Sequence, residues 1–430
     1  MRNGDEAAAF LSELPRFVPD YQPHKVTDAW RRLGSPGASC TLVHVAGTNG
    51  KGSVCACLSS LLRAAGRTVG VNTSPHLTDI RERFVCNGEE ISPEELTRHT
   101  NRILEVFPEA GEGKMTFSEV LLLIYQLFLE EHRPAYSILE TGMGGRLDPS
   151  NALPEKALCI LTRIGEDHME YLGNTLGEVA AEKAGILRPG CPVVYSDLVP
   201  EASAVIRSAA EALSCPVYPV SENTFSDVVR GQKSIDFSLH TRYYSNKRLT
   251  VPSGALYQAE NVSIAVTAAT LLLPKEILTE SVLDLGLARF RWAARMEEIF
   301  PGVILDGAHN PDGVGALLQS VAADGCAGER RLLFAAMSDK PYERMLRDIG
   351  DAALFSEITL VSLPLNRSVT VPAWKAFTEN NPDMPCRVAD DAAGALRELM
   401  ARRGAQDRIY VAGSLYLAGF VKENFSHDQF

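Results

Sequence analysis

The chain has 430 residues with 45% hydrophobic content, enough for roughly two or three domains, each with a buried core. A formal net charge of -12 argues against a polyanion as a general partner, so a phosphate site has to be a local positive pocket in an acidic protein. No stretch approaches the roughly eighteen uninterrupted apolar residues of a membrane span, and MRNGDEAAAF lacks a basic-then-apolar signal pattern, so a cytoplasmic protein is expected. The nine cysteines form no CxxC pair and lie mostly in apolar runs, the usage of reduced core thiols.

Residues 1–40 read as two short helices, around Glu6 to Leu14 and Val26 to Leu33, separated by a Pro-rich passage. From Thr41 to Gly66 the pattern is strand, glycine loop, helix. A β-branched apolar run meets AGTNGKGS, and Val54, Cys57, Leu58, Leu61, Leu62 and Ala65 follow at helical spacing. Gly47, Gly50 and Gly52 let the loop from Gly47 through Thr48 and Asn49 curl with its N–H groups inward, and the helix dipole adds to the attraction for an anion. Lys51 is placed to reach terminal phosphates and the Ser53 hydroxyl to meet a magnesium ion on them. The loop is a variant, because Val45 stands where the general P-loop pattern has glycine.

A strand ending near Asn72 leads into an irregular polar segment with Ser74, Pro75 and His76, where Ser74 is a ligand or a turn residue. Helices are expected at Pro93 to Phe107 and Phe117 to His132. A buried strand, Ser137 to Leu139, then delivers Glu140 beside the glycines 142, 144 and 145. A carboxylate at such a strand end suits a magnesium ligand or a turn cap. The strand Ala157 to Ile164 repeats the device with Glu166, Asp167 and His168, and the next helix carries Glu182 and Lys183. A strand at Pro192 to Tyr195 and a helix at Pro200 to Leu213 follow. Polar alternation between Pro216 and Pro252 then suggests antiparallel strands at the edge of the first domain, and Tyr257 to Leu273 is a helix bearing Asn261.

With a boundary near Ala288, GVILDGAHNP supplies a strand ending in Asp306, His309 and Asn310. LLFAAMSD, EITLVSLPL and RIYVAGSLYLAGF supply three more strands. The expected architecture is α/β. A P-loop ATPase domain with a doubly wound, mainly parallel sheet spans residues 1–288, and a smaller α/β ligase domain of four strands spans 289–430.

The strings AGTNGKGS, TSPHL with the following ER and NG, LETGMGGRLD, DHMEYLG, EKAGI, ENVSIA and LDGAHNP are similar in order and spacing to those of folylpolyglutamate synthases and dihydrofolate synthases, members of the Mur ligase superfamily. The resemblance runs from about Thr41 to Phe420. It implies a monomeric, cytoplasmic ATP-dependent amide ligase of folate biosynthesis and one-carbon metabolism, acting on small molecules, with no nucleic acid or membrane partner. Such an enzyme adds L-glutamate to dihydropteroate, or to the γ-carboxylate of reduced folate polyglutamates, through an acyl phosphate, giving ADP and phosphate.

By resemblance, Gly47, Thr48, Asn49, Gly50, Lys51, Gly52 and Ser53 bind ATP together with Asn261, Arg295 and Asp306. Ser53, Ser74 and Glu140 hold magnesium, and His168 takes a second metal together with Lys183, which matches the lysine that the superfamily carbamylates. Lys51, Glu140, His168, Lys183 and His309 form the catalytic set. Thr116, Phe117, Ser118, Glu119, Leu147, Asp148, Pro149 and Ser414 contact substrate. Two positions depart from the family: Ser118 replaces a usual aromatic and Pro149 a frequent alanine, both in the expected pterin pocket. The alternatives are another Mur-type ligase with a different acceptor, or a P-loop phosphotransferase. A Mur ligase of cell-wall precursors is expected to carry a nucleotide-sugar domain ahead of Thr41, where forty residues stand. A phosphotransferase accounts for Lys51 and Ser53 but leaves Glu140, His168 and Lys183 without a role.

Overall fold

Strand β1 (Thr41–Ala46) lies near the middle of an eight-stranded sheet in the computed structural model, which describes residues 1–16 and 22–425. The other strands of that sheet are β2 (Val69–Asn72), β3 (Phe84–Cys86), β4 (Glu89–Glu90), β5 (Tyr136–Glu140), β6 (Leu158–Leu161), β7 (Val193–Ser196) and β8 (Val217–Val220). Their order is β4-β3-β2-β5-β1-β6-β7-β8. All neighbours from β2 to β8 are parallel, and at one edge β3 is reversed, pairing antiparallel with both β2 and β4. Five of the six β1 residues are buried, which explains the near-continuous apolar run: a central parallel strand has no wet face.

The parallel register fixes the chemistry. Val45 of β1 is level with Glu140 of β5 and Ile160 of β6, so the loops leaving these three neighbours emerge at one edge. Ligands of open α/β sheets bind at such a carboxyl edge, where the chain order switches direction.

The chain divides into two compact units. Met1–Ser226, Leu239–Lys247 and Glu260–Phe290 form the first; Asp227–Ser238, Arg248–Ala259 and Arg291–Phe430 form the second. The stretch expected as antiparallel strands at the edge of the first sheet is split. Val217–Val220 joins β7 in parallel, while β9 (Phe225–Arg230), β10 (Ile235–Leu239) and β11 (Lys247–Val251) make a three-stranded sheet of their own. Alternation in the sequence marks strands with one wet face but does not say which sheet they join.

In the second unit β12 (Glu297–Phe300), β13 (Val303–Leu305), β14 (Arg330–Phe334), β15 (Glu357–Leu360), β16 (Cys386–Val388) and β17 (Arg408–Ala412) are ordered β12-β13-β17-β14-β15-β16. The four expected strands are its buried interior. The two unexpected ones are the edges, and both are short and incompletely buried, so they lack an apolar signature. Leu317, Phe334, Trp374 and Tyr410 belong to the core against this sheet.

Candidate active site

The glycine loop is held by the segment that follows β6. The Thr48 and Asn49 amides both donate to the Arg163 carbonyl, at 2.9 and 3.2 Å, and Thr48 Oγ1 donates to the Gly165 carbonyl at 3.0 Å. These two amides therefore fasten the loop instead of facing a ligand, a correction to the expectation that all its N–H groups point inward. Gly47 has φ +147, and a Cβ there would stand 1.9 Å from Thr162 Oγ1. Gly50 has φ +91 and would meet Asn261 Oδ1 at 2.2 Å, so both positions require glycine for backbone and for space. Gly50 is also the N-cap of the Lys51–Ala64 helix, with no side chain capping it. The start of a helix, where the dipole is positive and the first amides point outward, is the kind of place that attracts an anion.

Asn261 arrives through an ion pair. Glu260, buried at the start of the Gln258–Leu272 helix, accepts from Arg163 Nε at 2.8 Å and from Ser196 Oγ at 2.5 Å, which pins that helix to the ends of β6 and β7. The structure thus brings Asn261 onto the loop, where the sequence pattern alone placed it on an isolated helix.

Two ammonium groups converge on one carbonyl. Lys51 Nζ donates to the Gly47 and Thr48 carbonyls at 3.1 Å each, and Lys183 Nζ donates to the Gly47 carbonyl at 2.9 Å. Lys183 is 4% exposed, and its amine is pushed down to about 7, by burial first and then by the charge of Lys51. Asp167 and Asp148 pull in the opposite direction. On the other side of β1, Glu140 is buried at the end of β5 and its Oε2 accepts the Ser74 amide at 3.0 Å, so Ser74 and Glu140 are together. His168, with φ +52, begins the Met169–Leu172 helix, and its Nε2 lies 3.9 Å from Asp167 Oδ2. Asp167, 3.9 Å from His168 and acting on Lys183 through its charge, is a site neighbour that the sequence places beside His168 without giving it a role.

The glycine cluster after β5 also has a reason. A Cβ on Gly145 would stand 2.7 to 2.9 Å from backbone atoms of Glu182 and Lys183, and one on Gly185 would stand 2.7 Å from the Arg146 Cα. The turn therefore lies directly on the end of the Leu176–Ala184 helix that carries Lys183, tied by the Arg146 amide to the Glu182 carbonyl at 2.8 Å. Beyond it Asp148 is buried, with Oδ2 accepting the Met143 amide and Oδ1 the Ser150 amide, both at 2.9 Å. Burial raises its carboxyl above the ordinary value. Asp148 holds this turn, while its neighbour Leu147 is 47% exposed. Thr116 and Glu119 form a capping box at the start of the Phe117–His132 helix, each accepting the other's amide, with Ser118 inside it. Phe117 is buried, with the Arg16 guanidinium 3.7 Å from its ring centre.

In the second unit Asp306, at the end of β13, is buried. Its Oδ2 accepts from Tyr257 Oη at 2.6 Å and from the Met296 amide at 3.0 Å, and its Oδ1 accepts the Ala308 amide at 2.9 Å. Burial raises its carboxyl and the Arg295 charge partly offsets this. Arg295 packs on the following glycine: a Cβ on Gly307 would stand 2.3 Å from its Nη1. His309 Nδ1 donates to the Gly307 carbonyl at 2.7 Å, which leaves Nε2 as the other ring nitrogen. Ser414 is buried and caps the Leu415–Asn424 helix by accepting the Tyr416 amide at 3.1 Å. Tyr257 was missed: it lies four residues ahead of the recognised Asn261, in a string that gives no sign of a carboxylate partner far along the chain.

Residues 45–269 match the family described as Mur ligase middle domain, and residues 289–415 match Mur ligase, glutamate ligase domain. The chain is 31% identical over 403 residues to the dihydrofolate synthase/folylpolyglutamate synthase of Bacillus subtilis, covering 91% of this chain and 92% of that one. It is 32% identical over 419 residues to the dihydrofolate synthetase of Saccharomyces cerevisiae, covering 92% and 95%. Among solved structures, E. coli FolC in complex with DHPP and ADP superposes with a TM-score of 0.84 at 25% identity, covering 98% of this chain and 97% of that one. Because the likeness extends through both halves in the same order, the chain belongs to the Mur ligase family, in its folylpolyglutamate synthase and dihydrofolate synthase group, and is an ATP-dependent ligase.

Proposed function

We infer that this ligase joins the amine of L-glutamate to the carboxylate of dihydropteroate or of a reduced folate. The observation that carries the reading is the convergence of Lys51 and Lys183 on the Gly47 carbonyl, just ahead of a helix that no side chain caps. A carboxylate is a poor electrophile. Its oxygen attacks the γ-phosphorus of ATP, the bond to the β-phosphate oxygen breaks, and ADP leaves. The glutamate amine then attacks the acyl carbon, loses a proton, and inorganic phosphate departs. Phosphoryl transfer of this kind is governed by positioning and charge. Lys51 and the helix-start amides supply both on the γ-phosphate.

The donor set fits magnesium. Glu140 is one buried carboxylate, placed with Ser74, and Ser53 adds a hydroxyl from the helix start, a small hard-oxygen set of the sort magnesium takes when phosphates supply further ligands. When bound, the ion neutralises the phosphate oxygens. As an ammonium, Lys183 cannot join His168 at a second ion. An amine pushed to about 7 is substantially neutral at cellular pH, and its lone pair attacks carbon dioxide to form an N–C bond with loss of a proton, giving a carbamate that can. Asn261, Arg295 and Asp306 contact the nucleotide, His309 lies toward glutamate or phosphate, and Thr116 to Glu119, Leu147 to Pro149 and Ser414 face the pteroate or folate. The enzyme acts as a monomer in the cytoplasm, a compartment that suits nine free thiols.

The test is phosphate release from ATP and magnesium with L-glutamate, comparing dihydropteroate with tetrahydrofolate. Release that requires glutamate and either acceptor supports the reading, and the acceptor used assigns the step. Release that ignores glutamate replaces it with a phosphotransferase.

A further inference from the structure

Neither the nucleotide loop nor the core accounts for His44. It lies on β1, three residues ahead of Gly47, and is fully buried. Along its face of the strand, Leu42 belongs to one apolar cluster and Ala46 to another, and the imidazole stands between them. Its Nδ1 is buried with no hydrogen-bond partner, a cost that an apolar residue would not carry. The other nitrogen is engaged twice: Nε2 is 2.8 Å from Ser150 Oγ and 3.0 Å from Thr141 Oγ1.

The proton can be located by elimination. Asp148 accepts backbone amides at both oxygens, so it is also the acceptor for the Ser150 hydroxyl, 2.5 Å from Oδ1. Having given its only proton to Asp148, Ser150 Oγ offers His44 a lone pair. Nε2 therefore carries the ring proton, and the unpartnered Nδ1 is a bare lone pair. Burial, with the Lys156 and Arg188 charges, keeps the ring neutral.

We propose that His44 is a positioning residue. Through the chain His44 Nε2–H, Ser150 Oγ–H, Asp148 Oδ1, with Thr141 as a second anchor, it fixes the Leu147–Pro149 turn to the strand that ends in the nucleotide loop. The strand thereby sets where the pterin-bearing substrate lies relative to Gly47, and the inference rests on the reading of that turn as a substrate contact.

The experiment is steady-state kinetics on the full chain, with the acceptor that supports turnover, for His44→Leu, His44→Gln, Ser150→Ala, the His44→Leu/Ser150→Ala pair and Asp148→Asn. His44→Leu is expected to raise KM for the acceptor roughly tenfold, as loss of a charge-linked hydrogen bond does, with KM for ATP within about twofold. The pair should be no worse than the worse single variant, because both cut one chain, and His44→Gln, which keeps an N–H donor, should recover most of the loss. Nitrogen-15 shifts of the labelled parent should show the neutral Nε2–H tautomer. If Asp148→Asn leaves the acceptor KM unchanged, the reading of the turn fails. If Asp148→Asn raises it while His44→Leu does not, or shifts the ATP KM equally, the positioning role fails. Should His44→Leu not fold, an Nδ1–H tautomer in the parent, or no recovery in His44→Gln relative to Ser150→Ala, overturns it.

Discussion

Lys51 and Lys183 put two ammonium groups on the Gly47 carbonyl, and the buried one yields: its amine is pushed down to about 7. The consequences can be measured separately. Lys51→Ala removes the proposed partner of the γ-phosphate charge, and turnover should fall at least about a hundredfold, the size of a lost transition-state contact; near-normal turnover would disprove that role. For Lys183 the effect is on stability. An unfolded lysine keeps its proton to about 10.5 and the folded one releases it near 7, so between these values the unfolded chain binds more protons and stability rises with pH. The penalty is fully present below about 7 and gone above about 10.5. In carbon-dioxide-free buffer, Lys183→Met should therefore exceed the parent by more at pH 7 than at pH 10 in urea unfolding. A gap that does not change with pH would show that the amine is not depressed.

At the scale of elements, the site depends on how closely two segments approach. The turn after β5 lies on the backbone of the Lys183 helix because Gly145 has no Cβ, and the obstructing atoms are carbonyls and a Cα that cannot swing aside. Gly145→Ala should cost about 1–3 kcal/mol, as overpacking does, and should reduce activity with the Lys51 loop intact; unchanged melting and turnover would refute that packing. The long helices and buried strands were legible in the sequence. Phe117–His132 came out to the residue because an apolar face and a Thr-x-x-Glu start coincide. The edge strands β4, β12 and β16 were not, because edges are short and wet, and hydrogen bonding to a neighbour, invisible in composition, is what makes them strands; β3, between β4 and β2, is largely buried but only three residues long, too short to show a pattern.

Over the whole molecule, a net charge of -12 coexists with two lysines gathered on the Gly47 carbonyl, so the nucleotide recognition proposed there is local and depends on the fold. ATP with magnesium at about a hundredfold excess over Kd should stabilise the chain by about 2.7 kcal/mol, and Lys51→Ala should remove most of that shift; an equal shift in the variant would place the nucleotide elsewhere. Among the described residues no helix is long and apolar enough to cross a membrane.

The sequence by itself determined the α/β class, the glycine loop with Lys51 and Ser53, Glu140 at a strand end, and the family, because local propensity and motif spacing are properties of neighbouring residues. Only the tertiary structure decided that Lys183 bonds Gly47 across 136 positions, that Tyr257 bonds Asp306, that Glu260 delivers Asn261, and that His44 bonds Ser150. Each of these rests on a parallel register or a packed helix that brings distant segments together. Burial by those segments, which shifts the lysine and silences the histidine, has no representation in the linear chain.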